Sequence, residues 1–326
     1  MIEFTARAET WPLSRPFRIS RGMKTAAEVV VVEARDCGRV GLGEAVPYAR
    51  YGENVDSVLE QIRTVIPRGV LAGRAELQAA LPAGAARNAL DCALWDLEAK
   101  TSGRGVRAVL GFAPARTIAT AVTVSLDTAE AMGEAARALR GAPLLKVKVD
   151  AHDPVALVRA VRQAAPDARL IVDPNESWSV SLLREVLPAL AEQDVALIEQ
   201  PVPADEDEAL ASFDAAIPIC ADEAAHTTAD LARIAGRYQA VNIKLDKTGG
   251  LTEALAMRDG VRAAGLKLMV GCMVCTSLSI APALLLADGA DFVDLDGPWW
   301  LASDRAPAMR FRDGWIEPPA GGWGGP

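Results

Sequence analysis

A chain of 326 residues, 51% of them hydrophobic, has ample material for a full core, which excludes global disorder. Its 34 basic and 43 acidic side chains leave a net charge of −9 with no Lys/Arg run, so neither nucleic acid nor an anionic membrane surface is an expected partner. No apolar stretch approaches the roughly 18 residues of a spanning helix, and the longest, around Leu278–Ala287, is broken by Pro282.

The first residues, Met1-Ile2-Glu3-Phe4, are neither basic nor followed by an apolar run, so no signal peptide is expected. Five cysteines, an odd and sparse set, suit free thiols in a reducing cytoplasm. Residues 1–115 read as an α+β unit. Glu28–Ala34 is a β-branched strand, apolar on both faces, and Gly41–Pro47 reads as strand and turn. Helices are predicted over Asn54–Ile66 and Ala85–Lys100. The second carries Ala89, Cys92, Ala93, Trp95, Asp96 and Ala99, a small-residue face suited to close packing around one large anchor.

From residue 116 short β-branched runs alternate with Ala-rich helical patterns. The runs end near Val124, Lys148, Asp173, Glu199, Asp222, Lys244, Gly271 and Asp294, 22 to 27 residues apart. A strand, a helix and two loops take about that many residues. Eight such units without a marked switch point predict a barrel. After Asp294 the chain runs through Gly297-Pro298-Trp299-Trp300 into a strand-like tail in place of an eighth helix. The expected fold is therefore α/β: a modified TIM barrel, (β/α)7β, over residues 116–300. Residues 1–115 and a tail of residues 301–326 form a capping domain.

Catalytic groups of parallel barrels gather at the C-terminal ends of the strands, and the unusual residues of this chain fall there. Asp173, Glu199 and Asp222 end three consecutive strands. Each alone reads more readily as a helix N-cap. Together, three converging carboxylates repel unless a cation joins them, and an oxygen-only donor set with room for water and substrate suits Mg²⁺. Lys146 and Lys148, two apart on strand 2, share a face. If that face is the interior, each lowers the other's pKa and Lys148 becomes a candidate base; if it is the rim, both reach solvent. Lys244 ends strand 6, diametrically opposite strand 2. Asp294 and Asp296 end strand 8, opposite the acidic strand 4. A substrate with its carboxylate at the cation and an ammonium at Asp294 and Asp296 would lie with one carbon between the two lysines. That layout removes a proton from one face and returns it to the other through an enediolate.

These residues carry a resemblance. The chain resembles the enolase superfamily, its muconate-lactonising subgroup, and within it the dipeptide epimerases. The likeness runs through the Gly43-Glu44-Ala45-Val46-Pro47-Tyr48 turn, the Ala93-Leu94-Trp95-Asp96-Leu97 helix and every strand end above. It implies Asp173, Glu199 and Asp222 as Mg²⁺ ligands, Lys148 and Lys244 as the acid/base pair, and Lys146 as the first lysine of the paired motif. Asp294-Leu295-Asp296-Gly297-Pro298 is similar to the Asp-x-Asp signature that holds a dipeptide's α-ammonium. Gly271-Cys272-Met273-Val274-Cys275-Thr276-Ser277 resembles the strand-7 loop of the family, and Pro16–Gly22 its mobile capping loop. Arg21 in that loop is the candidate for a glutamate side-chain carboxylate, since arginine grips carboxylates bidentately. Thr123 is a further contact candidate. The implied reaction is epimerisation of a small dipeptide, L-Ala-D-Glu to L-Ala-L-Glu, from murein breakdown in the cytoplasm; a homo-oligomer is left open.

Cycloisomerisation and dehydration to o-succinylbenzoate use the same lysines and metal, but their anionic substrates lack the ammonium that Asp294 and Asp296 await. A non-catalytic binding protein on the same barrel would be expected to have lost a base or a ligand. Cys272-x-x-Cys275 has no second pair and is not expected to bind metal. His226 and His152 read as a helix-start and a loop residue, and Gly249-Gly250 as the opening of the next helix.

Overall fold

The computed structural model describes residues 2–66, 73–319 and 322–325. The chain begins with a long antiparallel hairpin, β1 (Glu3–Ile19) and β2 (Gly22–Asp36), and β3 (Arg39–Ala45) completes a three-stranded sheet in the order β1-β2-β3. The helices α1 (Val55–Val65), α2 (Arg74–Ala80), α3 (Ala85–Ser102) and the single turn α4 (Val106–Val109) follow. Asn54 caps α1, its side chain accepting from the Ser57 N–H while the Ser57 hydroxyl accepts from the Asn54 N–H. The small-residue face of α3 packs on β3, and Gly41 and Gly43 are what let it. A Cβ at Gly43 would run into the Ala89 carbonyl and stand 2.7 Å from the Ala93 nitrogen. Pro16–Gly22, read as a loop, is instead the end of the β1–β2 hairpin, with Phe17 opposite Lys24 and Ile19 opposite Gly22.

A short strand β4 (Ile118–Ala119) leads into the barrel. Its staves are β5 (Val122–Val124), β6 (Leu144–Lys148), β7 (Arg169–Asp173), β8 (Val195–Glu199), β9 (Ile219–Ala221), β10 (Ala240–Ile243), β11 (Lys267–Gly271) and β12 (Phe292–Asp294). They pair in parallel in sequence order, and the Ala121 N–H donating to the Val293 carbonyl at 2.7 Å brings first and last together. The outer helices are α5 (Ala129–Ala138), α6 (Pro154–Ala164), α7 (Val180–Glu192), α8 (Leu231–Ile234), α9 (Leu245–Thr248), α10 (Leu251–Ala263) and α11 (Ser277–Ala283). Between β8 and β9 the expected helix is replaced by a 3₁₀ turn, Asp207–Ser212. Pro201 and Pro203 oppose a helix there. Buried Asp207 pins the segment by accepting from Arg233 and the Tyr238 hydroxyl at 2.8 and 2.9 Å. The tail hairpin β13 (Arg310–Arg312) and β14 (Trp315–Glu317) pairs with β4.

Two buried acids join the cap to the barrel. Glu44 on β3 accepts from the Thr276 N–H at 2.8 Å, and Asp246 on α9 accepts from the Val46 N–H at 2.9 Å. The Gly43–Tyr48 turn is thus the junction through which the cap is seated over the strand ends.

Candidate active site

The barrel interior is stacked in layers because side chains of a strand alternate with a period of two. One residue from each stave, namely Ala121, Leu144, Ile171, Leu197, Cys220, Ala240, Met269 and Phe292, forms a buried apolar floor. Two residues further along every stave comes a polar layer: Thr123, Lys146, Asp173, Glu199, Asp222, Asn242, Gly271 and Asp294. All seven polar members are buried. Gly271 is needed because a Cβ there would stand 2.7 Å from the Asn242 Oδ1. Another two residues on stand Lys148, Lys244 and Asp296, also buried.

Lys146 occupies the middle of the polar layer. Its Nζ is 2.7 Å from Glu199 Oε2, 2.8 Å from Asp294 Oδ2 and 3.0 Å from Asp173 Oδ2. The expectation that Lys146 and Lys148 depress one another's pKa is corrected here for Lys146. Burial works in that direction, but Asp173, Asp294 and Glu199 outweigh it and hold Lys146 protonated well above the usual lysine range. Lys148 donates to Asp173 Oδ2 at 2.6 Å and to Asn175 Oδ1 at 3.1 Å. Lys244 donates to Asp222 Oδ2 at 2.6 Å. Burial favours the neutral acids, yet Lys146 and Lys148 keep Asp173, and Lys244 and Lys247 keep Asp222, well below the usual carboxylate range. Glu199 behaves oppositely. Burial and then the Asp173 charge push it up to about 7.

Asp173, Glu199 and Asp222 therefore sit on adjacent staves β7, β8 and just past β9, each met by lysine. Among the described residues no three such side chains are already spread around a common point. The donor set still fits a hard cation. It is all oxygen, it carries more acid than one centre tolerates, and Glu199 Oε2, although close to Lys146, receives no directed hydrogen bond. A cation drawing on these carboxylates would compete with Lys146, Lys148 and Lys244 for the same oxygens.

A cavity of about 480 Å³ opens above these lysines, between the barrel and the β1–β2 hairpin. Lys146, Lys148, Lys244, Thr123, Asp294 and Asp296 face it from the barrel; Arg21, Lys24, Tyr48 and Arg50 face it from the cap. Lys148 on β6 and Lys244 just past β10 are four staves apart in a ring of eight, so they approach the space from opposite sides. Asp294 Oδ1 is buried without a hydrogen-bond donor. Asp296 accepts from the Thr123 N–H at 2.8 Å, and burial and then Asp294 push it up to about 6. The Arg21 guanidinium is engaged within the protein, with Glu223 at 2.6 Å, Glu176 at 3.0 Å and the Tyr48 hydroxyl at 2.9 Å.

Lys247 and Asn242 belong to this constellation although the motif reading passed over them. Lys247 donates to Asp222 Oδ1 at 2.6 Å, and Asn242 to Glu199 Oε1 at 2.9 Å. A signal existed for Asn242, which precedes Lys244 by two and so shares its face. His226 packs edge-on against Tyr51 with ring centroids 4.6 Å apart, and His152 is exposed. All five cysteines are free thiols, and Gly250 opens α10 as expected.

The layered acids over a closed apolar floor, under an antiparallel cap, define a class of barrel enzyme scaffold. Residues 128–325 match the enolase C-terminal domain-like family and residues 1–111 the N-terminal domain of mandelate racemase / muconate lactonizing enzyme, so the chain belongs to the enolase superfamily. It is 51% identical to the L-Ala-D/L-Glu epimerase of Escherichia coli (strain K12), covering 94% of this chain and 96% of that one. It is 46% identical to an N-acetyl-D-glutamate racemase of Pseudoalteromonas sp, over 89% and 93%. Among solved structures, an enolase family member from Agrobacterium tumefaciens with homology to dipeptide epimerases, with bound sodium and L-Ala-L-Glu, superimposes with a TM-score of 0.95 at 46% identity, covering 98% of both chains. A dipeptide epimerase from Methylococcus capsulatus, complexed with Mg and L-Arg-D-Lys, does so with a TM-score of 0.88 at 33% identity, covering 99% of both.

Proposed function

We propose that this protein epimerises the α-carbon of the C-terminal residue of a dipeptide, with L-Ala-D-Glu and L-Ala-L-Glu as the preferred pair. The observation that carries this reading is the placement of Lys148 and Lys244 on opposite sides of one cavity, above three buried carboxylates. Asp173, Glu199 and Asp222 would hold Mg²⁺, which when bound supplies positive charge for the substrate carboxylate and weakens the hold of neighbouring lysines on their protons. Asp294, with one oxygen free of donors, and Asp296 receive the α-ammonium and orient the dipeptide, and Thr123 fixes Asp296. Arg21 faces the side-chain end of the same space. One of Lys148 and Lys244, as the free amine, takes the α-proton. The electron pair of the broken C–H bond moves into the carboxylate group. The other lysine, as ammonium, then gives a proton to the opposite face, forming the new C–H bond and leaving the configuration inverted. Lys146 stays charged throughout, locked among its carboxylates.

The relatives named as dipeptide epimerases support a role in the turnover of murein-derived peptides, which we place in the cytoplasm. Racemisation of an N-acylated glutamate is a second reading, prompted by the Pseudoalteromonas relative. It lacks the ammonium that would use Asp294. The test is turnover of L-Ala-L-Glu and N-acetyl-L-glutamate in D₂O with Mg²⁺. The proposal expects deuterium at the α-carbon of the dipeptide, lost on chelation with EDTA and restored by Mg²⁺. Exchange in N-acetylglutamate alone would favour the second reading, and exchange in neither would end both.

A further inference from the structure

The turn that joins β11 to α11 carries two of the five cysteines, and the reaction proposed above uses neither. Cys272 is half-buried and stands in the wall of the cavity, followed there by Met273 and Val274; Cys275 is fully buried. The two thiols are close enough to share a hydrogen bond. Burial, and then the neighbouring Cys272 thiol, hold Cys275 well above the usual thiol range, so it stays protonated at neutral pH. Residues 272–275 have no regular secondary structure, but the chain is anchored on both sides of them. Gly271 pairs with Asp294 in the barrel. Beyond the turn, the Thr276 N–H donates to Glu44 Oε1 at 2.8 Å and the Ser277 N–H to Asp304 Oδ1 at 3.1 Å. The turn also lies directly on Gly297, where a Cβ would stand 2.6 Å from the Met273 carbonyl oxygen and 2.8 Å from Cys275 Sγ. In so close a packing, a shift of the turn is felt next to Asp296.

We propose that Cys272 and Cys275 form a modification site, a dithiol that a small-molecule disulfide entering the cavity converts reversibly into an intrachain disulfide, reshaping the cavity wall. The proposal goes beyond the dipeptide reading, since the bond can form whatever the substrate is. Cys272, as thiolate, attacks one sulfur of the oxidant RSSR; its S–S bond breaks, RS⁻ leaves, and a mixed disulfide remains on Cys272. Cys275 then attacks the Cys272 sulfur and displaces the second RS⁻. Each RS⁻ takes up one of the protons that the cysteines lose. Two protein thiols are oxidised to one disulfide, and one RSSR is reduced to two RSH. Closing the bond draws Cys272 from the cavity wall towards the anchored Cys275, and Met273 and Val274 between them must move with it. In a reducing compartment such a bond is transient, which suits a sensor of oxidised small thiols.

The test treats Mg²⁺-loaded Cys37→Ser protein, which lacks the exposed thiol of the cap, with hydroxyethyl disulfide. Peptide mass mapping should find Cys272 and Cys275 joined, with the loss of two hydrogens, and dithiothreitol should reverse the change. Exchange of the α-proton of L-Ala-L-Glu should fall by about ten- to a hundredfold on oxidation and return on reduction, the cost of displacing positioning groups by about 1 Å. L-Ala-L-Glu present during the treatment should slow formation of the bond, because Cys272 is reached through the cavity. By mass, Cys275→Ala should stop at the mixed disulfide on Cys272, and Cys272→Ala should leave Cys275 unreacted. An adduct on Cys272 that never closes onto Cys275, or a closed bond that leaves exchange unchanged, would overturn the proposal. Reduced protein that exchanges no dipeptide proton would overturn the dipeptide reading instead. Crystal structures of the reduced and oxidised protein would then decide this proposal, and Met273 and Val274 in unchanged positions would end it.

Discussion

Lys247 holds Asp222 from within the barrel wall: its fully buried Nζ lies 2.6 Å from Asp222 Oδ1, while Lys244 takes Oδ2 from the cavity side at the same distance. One carboxylate thus has an inner, structural counterion and an outer one exposed to chemistry. Lys247→Met should strand a buried charge and lower stability by about 3–5 kcal/mol in urea unfolding. The double variant Lys247→Met/Asp222→Asn should be less destabilised than the two single changes added together. Strict additivity would show that the pair is not coupled.

Lys148 and Lys244 approach from opposite staves, so they should be separable by stereochemistry. Lys148→Ala and Lys244→Ala should each cut epimerisation by at least about 10²–10⁴-fold. Each should still exchange the α-proton of one epimer, and the two variants should retain opposite epimers. NMR of each dipeptide in D₂O reads this directly. Retention of the same epimer by both variants would contradict the opposed arrangement.

Asp246 offers a pH test of the junction between cap and barrel. Burial is the main cause of its rise to about 7; the Val46 and Asn88 hydrogen bonds work against it, and Glu53 and Glu44 add to it. A raised acid stabilises the fold fully below its unfolded pKa, about 4, and loses that contribution as pH rises through about 7. Asp246→Asn keeps the accepting oxygen and removes the charge. Its stability relative to wild type should therefore improve between pH 5 and pH 8, by up to about 2.5 kcal/mol. Urea unfolding at both pH values checks the sign; a relative loss towards pH 8 would refute it.

Gly43 meets α3 too closely for any side chain. Gly43→Ala forces the added methyl against the Ala89 carbonyl, and the expected cost is about 1–3 kcal/mol or more from overpacking. Gly38→Ala is the control for a different cost, since its Cβ would meet nothing but its φ of 76° is left-handed. Thermal unfolding should rank Gly43→Ala as the more damaging change.

Much of the barrel was legible because parallel staves are buried on both faces and end where polar chemistry begins. Six of the eight expected strand ends coincide with the observed ones, and β9 and β10 stop one residue earlier, at Ala221 and Ile243. The hairpin end around Arg21 looks like a loop in sequence because its pairing depends on Lys24 lying opposite Phe17, which no local pattern announces. The missing helix before β9 was likewise obscured, since Asp207 is pinned by Arg233 and Tyr238 far along the chain.

The order of the residues alone was enough to settle that acids and lysines recur at strand ends, because a two-residue alternation and a repeat of about 25 residues are local properties of the chain. Which ammonium meets which carboxylate was decided only by folding. Asp222 with Lys247 and Lys146 with Glu199 are relations between different staves, and Asp246 with the Val46 N–H is one between barrel and cap. Coulombic attraction and the loss of water act through distances in space, and those exist only once the ring has closed.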